Sequence, residues 1–304
     1  MRPRSFFCLI FASALILIGL SAAPAAPRHH SGNMSGSHRQ PASDCSDLRM
    51  RFYDRDAIVR SETRTLSKAE APILKVHPHA NGGTQVVGWD NADYSVTACK
   101  AVAAGDSAER ILSQITMTIE GGTVSTSGPS GAEEQWTVYL LIRAPRSATI
   151  EMDATNGPIS IYDVDGKLTA RAQNGPISLH NVSGEADVSA QNGPISLEGS
   201  SGNVRIRTEN GPISVNLDGA NWNGSGLSAD AHNGPVTLRV PSGFQSSFVV
   251  ESTNHAPMSC RASICESARK TWDDEHRRIE YGSSPALVHL STVNGPVSVE
   301  EARD

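Results

Sequence analysis

The chain has 304 residues, of which 26 are glycine and only 5% are aromatic. This composition favours thin layers of small β-branched side chains over a thick globular core. The formal net charge is −6, with acidic and basic residues mixed along the chain, so the sequence lacks the basic stripe that nucleic-acid binding requires.

Residues 1–25 have the pattern of a secretory signal peptide. Arg2 and Arg4 precede an apolar run, and Ala23-Pro24-Ala25 offers an A-x-A cleavage site. The run is short for a membrane span, and an uncleaved anchor is the alternative interpretation. No second apolar segment of spanning length follows. We therefore expect an exported protein, periplasmic or extracellular, with no stable membrane span after cleavage.

Residues 26–42 are rich in Ser, Gly, Pro and His and predict a flexible leader. Beyond the signal peptide the chain has four cysteines: Cys45, Cys99, Cys260 and Cys265. An even number in an exported chain favours disulfides, and the Cys260-x4-Cys265 spacing fits a zinc site poorly. Of the three possible pairings we favour Cys45 with Cys99 and Cys260 with Cys265, which closes a small loop.

Residues 43–150 predict an N-terminal β-rich region with one helix at residues 108–115. Strand-like alternation occurs at residues 73–77, 84–88, 94–98 and 136–142. The tetrapeptide Asn81-Gly82-Gly83-Thr84 resembles a degenerate early copy of the motif that dominates the rest of the chain.

A repeat fills residues 151–300 and decides the fold class. The pentapeptides NGPIS, NGPVT and NGPVS begin at Asn156, Asn174, Asn192, Asn210, Asn233 and Asn294. The first four copies lie 18 residues apart, and glycine recurs every nine residues from Gly157 to Gly211. Each 18-residue unit therefore has two nine-residue halves, each consisting of a short strand and a corner.

Side-chain alternation along a strand assigns the two faces of each unit. The isoleucine of NGPIS and the apolar residue two positions later point inward. The serine between them points outward, which gives a column of Ser160, Ser178, Ser196 and Ser214. In the other half, Leu168 and Ala170 point inward while Thr169 points outward.

The proline after each Asn-Gly decides between two architectures. Asn-Gly alone is a strong hairpin signal, but the residue that follows Asn-Gly must donate its N–H to close such a turn, and proline lacks this N–H. The motif is therefore predicted to be a corner, with Asn and Gly in unusual backbone conformations and Pro opening the next strand. We predict an all-β fold, a β-solenoid or β-helix-like stack with 18-residue rungs and an asparagine ladder along the corner. A hairpin meander is the alternative.

The period breaks after Asn210, and the steps to the next two copies are longer. We expect an insertion at about residues 255–280, partly helical around residues 267–276, and a terminal rung at the last NGPVS. The insertion, which includes Trp272, would either contact a partner or cap the end of the stack.

The ladder as a set, together with Val240-Pro241 and the closing Thr292-Val293-Asn294-Gly295, resembles the bacterial DUF4097 family. Its members are described as β-strand-repeat proteins with an adhesin-like role, and the similarity spans roughly residues 65–300. The resemblance implies a solenoid-like fold in an envelope or secreted setting and supplies no catalytic residues. The proline after Asn-Gly departs from the small residue that is more usual in the family.

The sequence predicts no catalytic residue, no metal ligand set and no cofactor. Asp165 and Asp187 do not repeat as the aspartates of a calcium-binding β-roll do. His77 and His79 would share a strand face, but a metal would need further ligands. Paired outward carboxylates, which a glycan hydrolase needs, do not recur on the serine column.

We therefore expect a non-enzymatic exported repeat protein that acts as an adhesin-like or envelope interaction module. Its expected partners are envelope glycans or surface proteins, and the serine column is the candidate binding face. A polysaccharide-acting β-helix enzyme and a purely structural envelope component are the alternatives.

Overall fold

The computed structural model describes residues 33–35, 40–53, 55–130, 135–254, 256–273, 276–283, 285 and 287–302. The predicted signal peptide and most of the leader lie outside the described residues. The described part of the chain is all-β, with two large sheets and one α-helix, α1 Ala108–Gln114. Short 3₁₀ turns occur at Cys45–Asp47 and Ser263–Glu266.

The strands before the repeat are β1 Asn33–Ser35, β2 Arg49–Phe52, β3 Arg55–Ser67, β4 Ile73–His77, β5 Gly83–Trp89, β6 Asp93–Ala103, β7 Thr116–Glu120, β8 Thr123–Ser127 and β9 Trp136–Pro145. The strands of the repeat are β10 Thr149–Ala154, β11 Ile159–Tyr162, β12 Lys167–Ala172, β13 Ile177–His180, β14 Glu185–Asn192, β15 Ile195–Glu198, β16 Ser201–Asn210, β17 Ile213–Asn216, β18 Asn223–Asn233 and β19 Val236–Val240. The C-terminal strands are β20 Phe248–Ser252, β21 Met258–Cys260, β22 Arg269–Trp272, β23 Arg277–Tyr281, β24 Val288–Asn294 and β25 Val297–Glu301.

Consecutive repeat units lie beside each other as parallel strand pairs, one strand in each sheet. In the 13-stranded sheet, Ile159 of β11 pairs with Ile177 of β13, which is 18 residues later. In the 12-stranded sheet, β10 pairs with β12, and β12 with β14, at the same offset. Each unit therefore contributes one layer, with β10 and β11 forming the first layer of the repeat.

The core lies between the two sheets and consists of stacked small apolar side chains. Leu168 and Ala170 of β12 face Ile177 and Leu179 of β13 in one continuous cluster, and all four are almost fully buried. The period-two alternation of these strands therefore predicts their buried face correctly. Thr169, by contrast, is half-exposed.

The glycines of the motif are required for a reason other than the unusual backbone conformation that was predicted. The backbone φ of Gly157, Gly175 and Gly193 is outside the left-handed region. A Cβ on Gly175 would instead overlap the carbonyl oxygen of Gly157 in the preceding layer. Glycine is thus required because adjacent layers approach closely at this corner. Left-handed residues occur at the opposite corner, where Asp163 has φ 58°.

The N-terminal region extends both sheets. The early motif copy takes its place in the stack, since Thr84 of β5 pairs with Ile159 of β11 and Asn156 bonds to Asn81. Beyond β5, the long strands β9, β6 and β3 follow in the same sheet. Helix α1 agrees with the predicted segment and buries Ile111 and Leu112 in the main core.

The C-terminal layer is not terminal, contrary to the sequence-based expectation. Strand β24 pairs with β18 on one side and with β20 on the other, both in parallel. Strand β25 likewise lies between β19 and β21. The chain therefore leaves a gap of one layer after β19, builds the next layer with β20 and β21, and returns to fill the gap.

The expected helical character around residues 267–276 is also wrong. Residues 269–272 form strand β22, which pairs antiparallel with β23 and makes an edge of the 12-stranded sheet. Its four side chains are all exposed, so the segment has no buried stripe to support a helix. The Arg269 guanidinium contacts the Glu280 carboxylate across the two strands at 2.5 Å.

Candidate binding faces of the two sheets

The motif asparagines form a hydrogen-bonded column along one corner. Asn174 Nδ2 donates to Asn156 Oδ1 at 2.9 Å, and the same bond links Asn192 to Asn174 and Asn210 to Asn192. Asn233 and Asn294 continue the column. Each amide both donates and accepts within the column, so its polar atoms are already engaged.

Asn254 extends this column by one layer, although no NGPIS motif marks it. Its side-chain amide donates to Asn294, on the side away from Asn233. The sequence around it, Asn254-His255-Ala256-Pro257-Met258-Ser259, has one more residue than NGPVS before the strand. Because of this added residue, a search for the motif does not find this copy.

The serine column lies on the outer face of the 13-stranded sheet. Ser160, Ser178, Ser196 and Ser214 occupy equivalent register positions on β11, β13, β15 and β17 and are half-buried. Ser196 Oγ donates to Ser178 Oγ at 3.1 Å, and Ser214 Oγ accepts from Arg239 at 3.0 Å. The hydroxyls therefore bond partly within the face that they form.

A second outward column flanks the serines. The rings of Tyr162 and His180 stack with their centroids 4.6 Å apart. Farther along, the Arg239 guanidinium pairs with the Glu300 carboxylate at 3.2 Å. Near the first serine, burial raises the pKa of Tyr139 to about 12, so its phenol is protonated at neutral pH. Along the serine column this face is polar, and a recess of about 180 Å³ lies farther along the same sheet, lined by residues of β5, β6 and β9 that include Gln85, Thr97 and Arg143.

An open groove of about 960 Å³ crosses the outer face of the 12-stranded sheet, beside the asparagine corner. We call it the axial trench, because it runs across six neighbouring strands, β10, β12, β14, β16, β18 and β24. Its first ridge consists of Asp153, Arg171, Ser189, Arg207, Asp230 and Ser291. Its second ridge consists of Gln173, Gln191, Glu209, His232 and Val293. Its floor is a buried column of small residues: Ala154, Ala172, Ala190, Thr208 and Ala231.

The two ridges differ in whether their polar groups already form hydrogen bonds or ion pairs within the protein. On the first ridge, Arg207 pairs with Asp187 at 3.1 Å, and Asp230 accepts from Ser291 at 2.6 Å. On the second ridge, the side chains of Gln173 and Gln191 are exposed and make no side-chain hydrogen bond within the described residues. The second ridge thus presents polar groups that are available to a ligand.

Sequence reasoning missed the trench because its residues do not repeat by type. Asp153, Arg171 and Ser189 share one register position but differ in charge. A search for recurring residues finds the asparagines and serines, whose chemistry is constant. Aligning the units at 18-residue spacing and comparing all outward positions would have found both ridges.

Both predicted disulfides are confirmed. Cys45 bonds to Cys99 and Cys260 to Cys265. The first joins the 3₁₀ turn at Cys45–Asp47 to β6, over a small second cluster that includes Met50 and Phe52. The second closes the loop that follows β21.

No group of three or more potential metal ligands occurs within the described residues. His77 and His79 do not combine, because His77 lies near Asp153 whereas the His79 ring packs on Trp136 with centroids 4.2 Å apart. Burial lowers the pKa of His79. Asp163 accepts from Asn181 at 3.2 Å.

The exposed Trp272 lies on edge strand β22, where its ring packs under the Arg277 guanidinium at 4.6 Å. The acidic residues Glu133, Glu134, Asp274 and Glu275 lie outside the described residues. In the described segments, no helix has the length and apolar character needed to cross a bilayer.

No family model and no curated protein matches the chain. Three similar solved structures have low sequence identity to this chain and low TM-scores. A putative cell adhesion protein from Clostridium sporogenes is 10% identical with a TM-score of 0.32, covering 80% of this chain and 100% of its own. A putative adhesin from Bacteroides fragilis is 13% identical with a TM-score of 0.33, covering 79% and 97%. A putative lipid binding protein from Parabacteroides distasonis is 10% identical with a TM-score of 0.28, covering 79% and 96%. Because similarity at this level carries no argument about activity, the function is inferred from the residues of the chain itself.

Proposed function

We propose that this chain is a non-enzymatic exported β-solenoid with 18-residue rungs, which acts as an adhesin-like interaction module of the cell envelope. The asparagine column is its structural corner, and the outer sheet faces are its contact surfaces. The resemblance of the ladder to DUF4097 repeat proteins belongs to the same proposal.

The observation that carries the proposal is the register of the outward columns. Ser178 lies beside Ser196, and Arg171 beside Ser189, in parallel pairs with no register shift. Such a surface presents one side chain per strand at a spacing of about 4.8 Å. A long surface of regularly spaced polar groups suits an extended partner better than a small molecule held in a closed pocket.

Two features support placement outside the cytoplasm. The disulfides Cys45–Cys99 and Cys260–Cys265 persist in oxidising compartments and are rare in the cytosol. The N-terminal 25 residues have the pattern of an export signal. The proposed location is therefore the periplasm or the cell exterior.

The proposal is tested by binding the mature protein to envelope fractions, separated into glycan and protein components. Ser196→Lys places a cation in the middle of the serine column, whereas Thr169→Lys places one on the other sheet, outside the trench. If the serine face makes the contact, the first variant loses binding and the second retains it. A mature protein that retains neither envelope component would overturn the interaction role and leave a purely structural one.

A polysaccharide-acting enzyme is the alternative, and one observation favours it. Glu209 and Asp230 lie on neighbouring strands on opposite ridges of the trench, and glycoside hydrolysis needs two carboxylates across a chain. Incubation with defined glycans, followed by chromatography of the products, tests this alternative. Turnover that is lost in both Glu209→Gln and Asp230→Asn would replace the binding role with the enzymatic one.

A further inference from the structure

We propose that the axial trench binds a linear, uncharged glycan that lies along the stack and crosses the strands at right angles. The inference deepens the proposed function by naming a ligand class and a second contact surface, distinct from the serine column. It rests on the dimensions of the trench, its charge balance and its available polar groups.

The dimensions favour a chain molecule. The trench crosses six neighbouring strands, which at about 4.8 Å per strand gives a length of about 24 Å. It is open to solvent on its outer side, which suits a chain molecule laid along the sheet. Strand backbone forms the floor between the ridges, because the small side chains there point into the core.

The charge balance excludes polyanions as the favoured occupant. The ridges carry two arginines, Arg171 and Arg207, and three carboxylates, Asp153, Glu209 and Asp230. Arg207 is paired with Asp187 just outside the trench. The resulting field is close to neutral and slightly acidic, and a nucleic acid or polyuronate needs a basic groove.

The available polar groups match sugar hydroxyl and acetamido groups. Gln173 directly follows β12 and Gln191 lies on the adjacent strand β14, and each side-chain amide can both donate and accept. Glu209 and His232 continue the ridge on the next two strands. The ridge thus offers one polar group in each of four consecutive layers, at a spacing close to the length of one pyranose unit in an extended chain.

An extended peptide fits the same ridge less well. Its side chains return to one face about every 6.6 Å, two residues of about 3.3 Å each, which does not match a ridge spacing of about 4.8 Å. Its backbone N–H and C=O groups also require a strand edge, whereas each trench strand is paired on both sides.

The test uses the mature protein and defined oligosaccharides. Hexamers of N-acetylglucosamine and of glucose are titrated by calorimetry, and backbone amide shifts are mapped by NMR. A galacturonate hexamer and an extended hexapeptide serve as competing ligand classes. We expect a neutral hexamer to bind more tightly than the corresponding dimer, with shifts confined to the trench strands.

The double variant Gln173→Ala/Gln191→Ala should weaken hexamer binding about tenfold, the effect of losing two modest hydrogen bonds. Gln245→Ala removes an exposed glutamine in a loop outside the trench and should bind as the unaltered protein does. Unchanged affinity in the double variant, or binding of only the galacturonate or the peptide, would overturn the inference.

The outcomes separate this inference from the wider proposal. Envelope binding that survives the double variant, with no neutral hexamer bound, removes the trench site and leaves the interaction role. Hexamer binding in a protein that retains no envelope component supports the trench site and contradicts the envelope role.

Discussion

Close approach of backbones at the NGPIS corner, rather than an unusual turn conformation, fixes glycine at the second position of the motif. Gly175 lies against the carbonyl of Gly157, and Gly193 against that of Gly175. The asparagine before each glycine links the same layers by a side-chain hydrogen bond. Two adjacent residues thus join each layer to the next: glycine allows the backbones to approach closely, and asparagine forms a hydrogen bond between the layers.

Replacing Gly175 by alanine should therefore destabilise the protein by about 1–3 kcal/mol, since the added Cβ forces neighbouring layers apart. Gly105→Ala is the matched control, because a Cβ there would meet no atom within 4 Å. Urea unfolding followed by circular dichroism measures both variants. Equal midpoints for the two variants would show that the corner tolerates a side chain.

At the level of elements, a cluster of charged groups joins the C-terminal strand β24 to β20 and β23. His289 Nε2 lies 2.8 Å from Glu251 Oε1, and Arg278 donates to the other oxygen of Glu251 at 2.7 Å. The hydrogen bond to Glu251 raises the pKa of His289, and the same bond lowers the pKa of Glu251. Asp230 on β18 also faces His289 and favours the imidazolium.

This cluster predicts a pH-dependent stability. The pKa of His289 is raised above its unfolded value of 6.5. Its contribution to the free energy of unfolding is therefore complete below pH 6.5 and is lost as pH rises through the raised pKa. Glu251 contributes above its unfolded pKa of 4.5, and its contribution is lost as pH falls through the lowered value. The stability difference between the unaltered protein and His289→Gln should thus be largest between about pH 4.5 and 6.5 and should shrink above that window.

Urea midpoints from pH 4 to pH 9 measure this difference. His232→Gln is the control, because it removes an imidazole on the neighbouring strand that makes no ion pair within the described residues. The stability difference between this variant and the unaltered protein should not show the same dependence on pH. A His289 difference that stays constant or grows toward pH 9 would contradict the assignment.

The two disulfides should differ in their contribution because they close loops of different length. Cys45–Cys99 spans 54 residues and Cys260–Cys265 spans five. The chain-entropy model assigns them about 4 and about 2 kcal/mol of stabilisation. Paired Cys→Ala variants, compared by urea unfolding, should show the larger loss for Cys45/Cys99. The opposite order would indicate that contacts in the folded state outweigh loop closure.

The sequence predicted those features that are encoded within a few residues. Alternation identified the buried face of β12 and β13, and cysteine count and loop size identified the pairing. Strand β3 was missed because Arg55–Ser67 is mostly polar and its few apolar residues, at 57–59 and 66, do not alternate regularly. The trench was missed because each ridge combines different residue types from strands that are far apart in sequence. The constant 18-residue spacing indicated which layers are neighbours up to Asn210, but the longer steps after it do not reveal that β24 lies between β18 and β20.

At the scale of the whole molecule, the C-terminal layer holds the outermost layer on the stack. Val288 pairs with Leu227, 61 residues earlier, and also with Phe248 on its other side. Stability in a stack depends mainly on contacts between neighbouring layers. Strands β20 and β21 therefore contact the preceding repeat layers through β24 and β25, which lie between them and those layers.

Deleting residues 288–304 should consequently disrupt more than the deleted strands. We expect residues 248–281 to lose protection from amide hydrogen exchange, while residues 150–216 retain theirs, because their neighbouring layers remain intact. Deleting only residues 303–304, which follow β25, is the control and should preserve both regions. A peptide of residues 288–301 added to the longer deletion should restore protection at 248–252, since it can occupy the vacated position. Protection at 248–252 that survives the longer deletion without the peptide would contradict the dependence of β20 on β24, since pairing with β23 would then suffice to hold it.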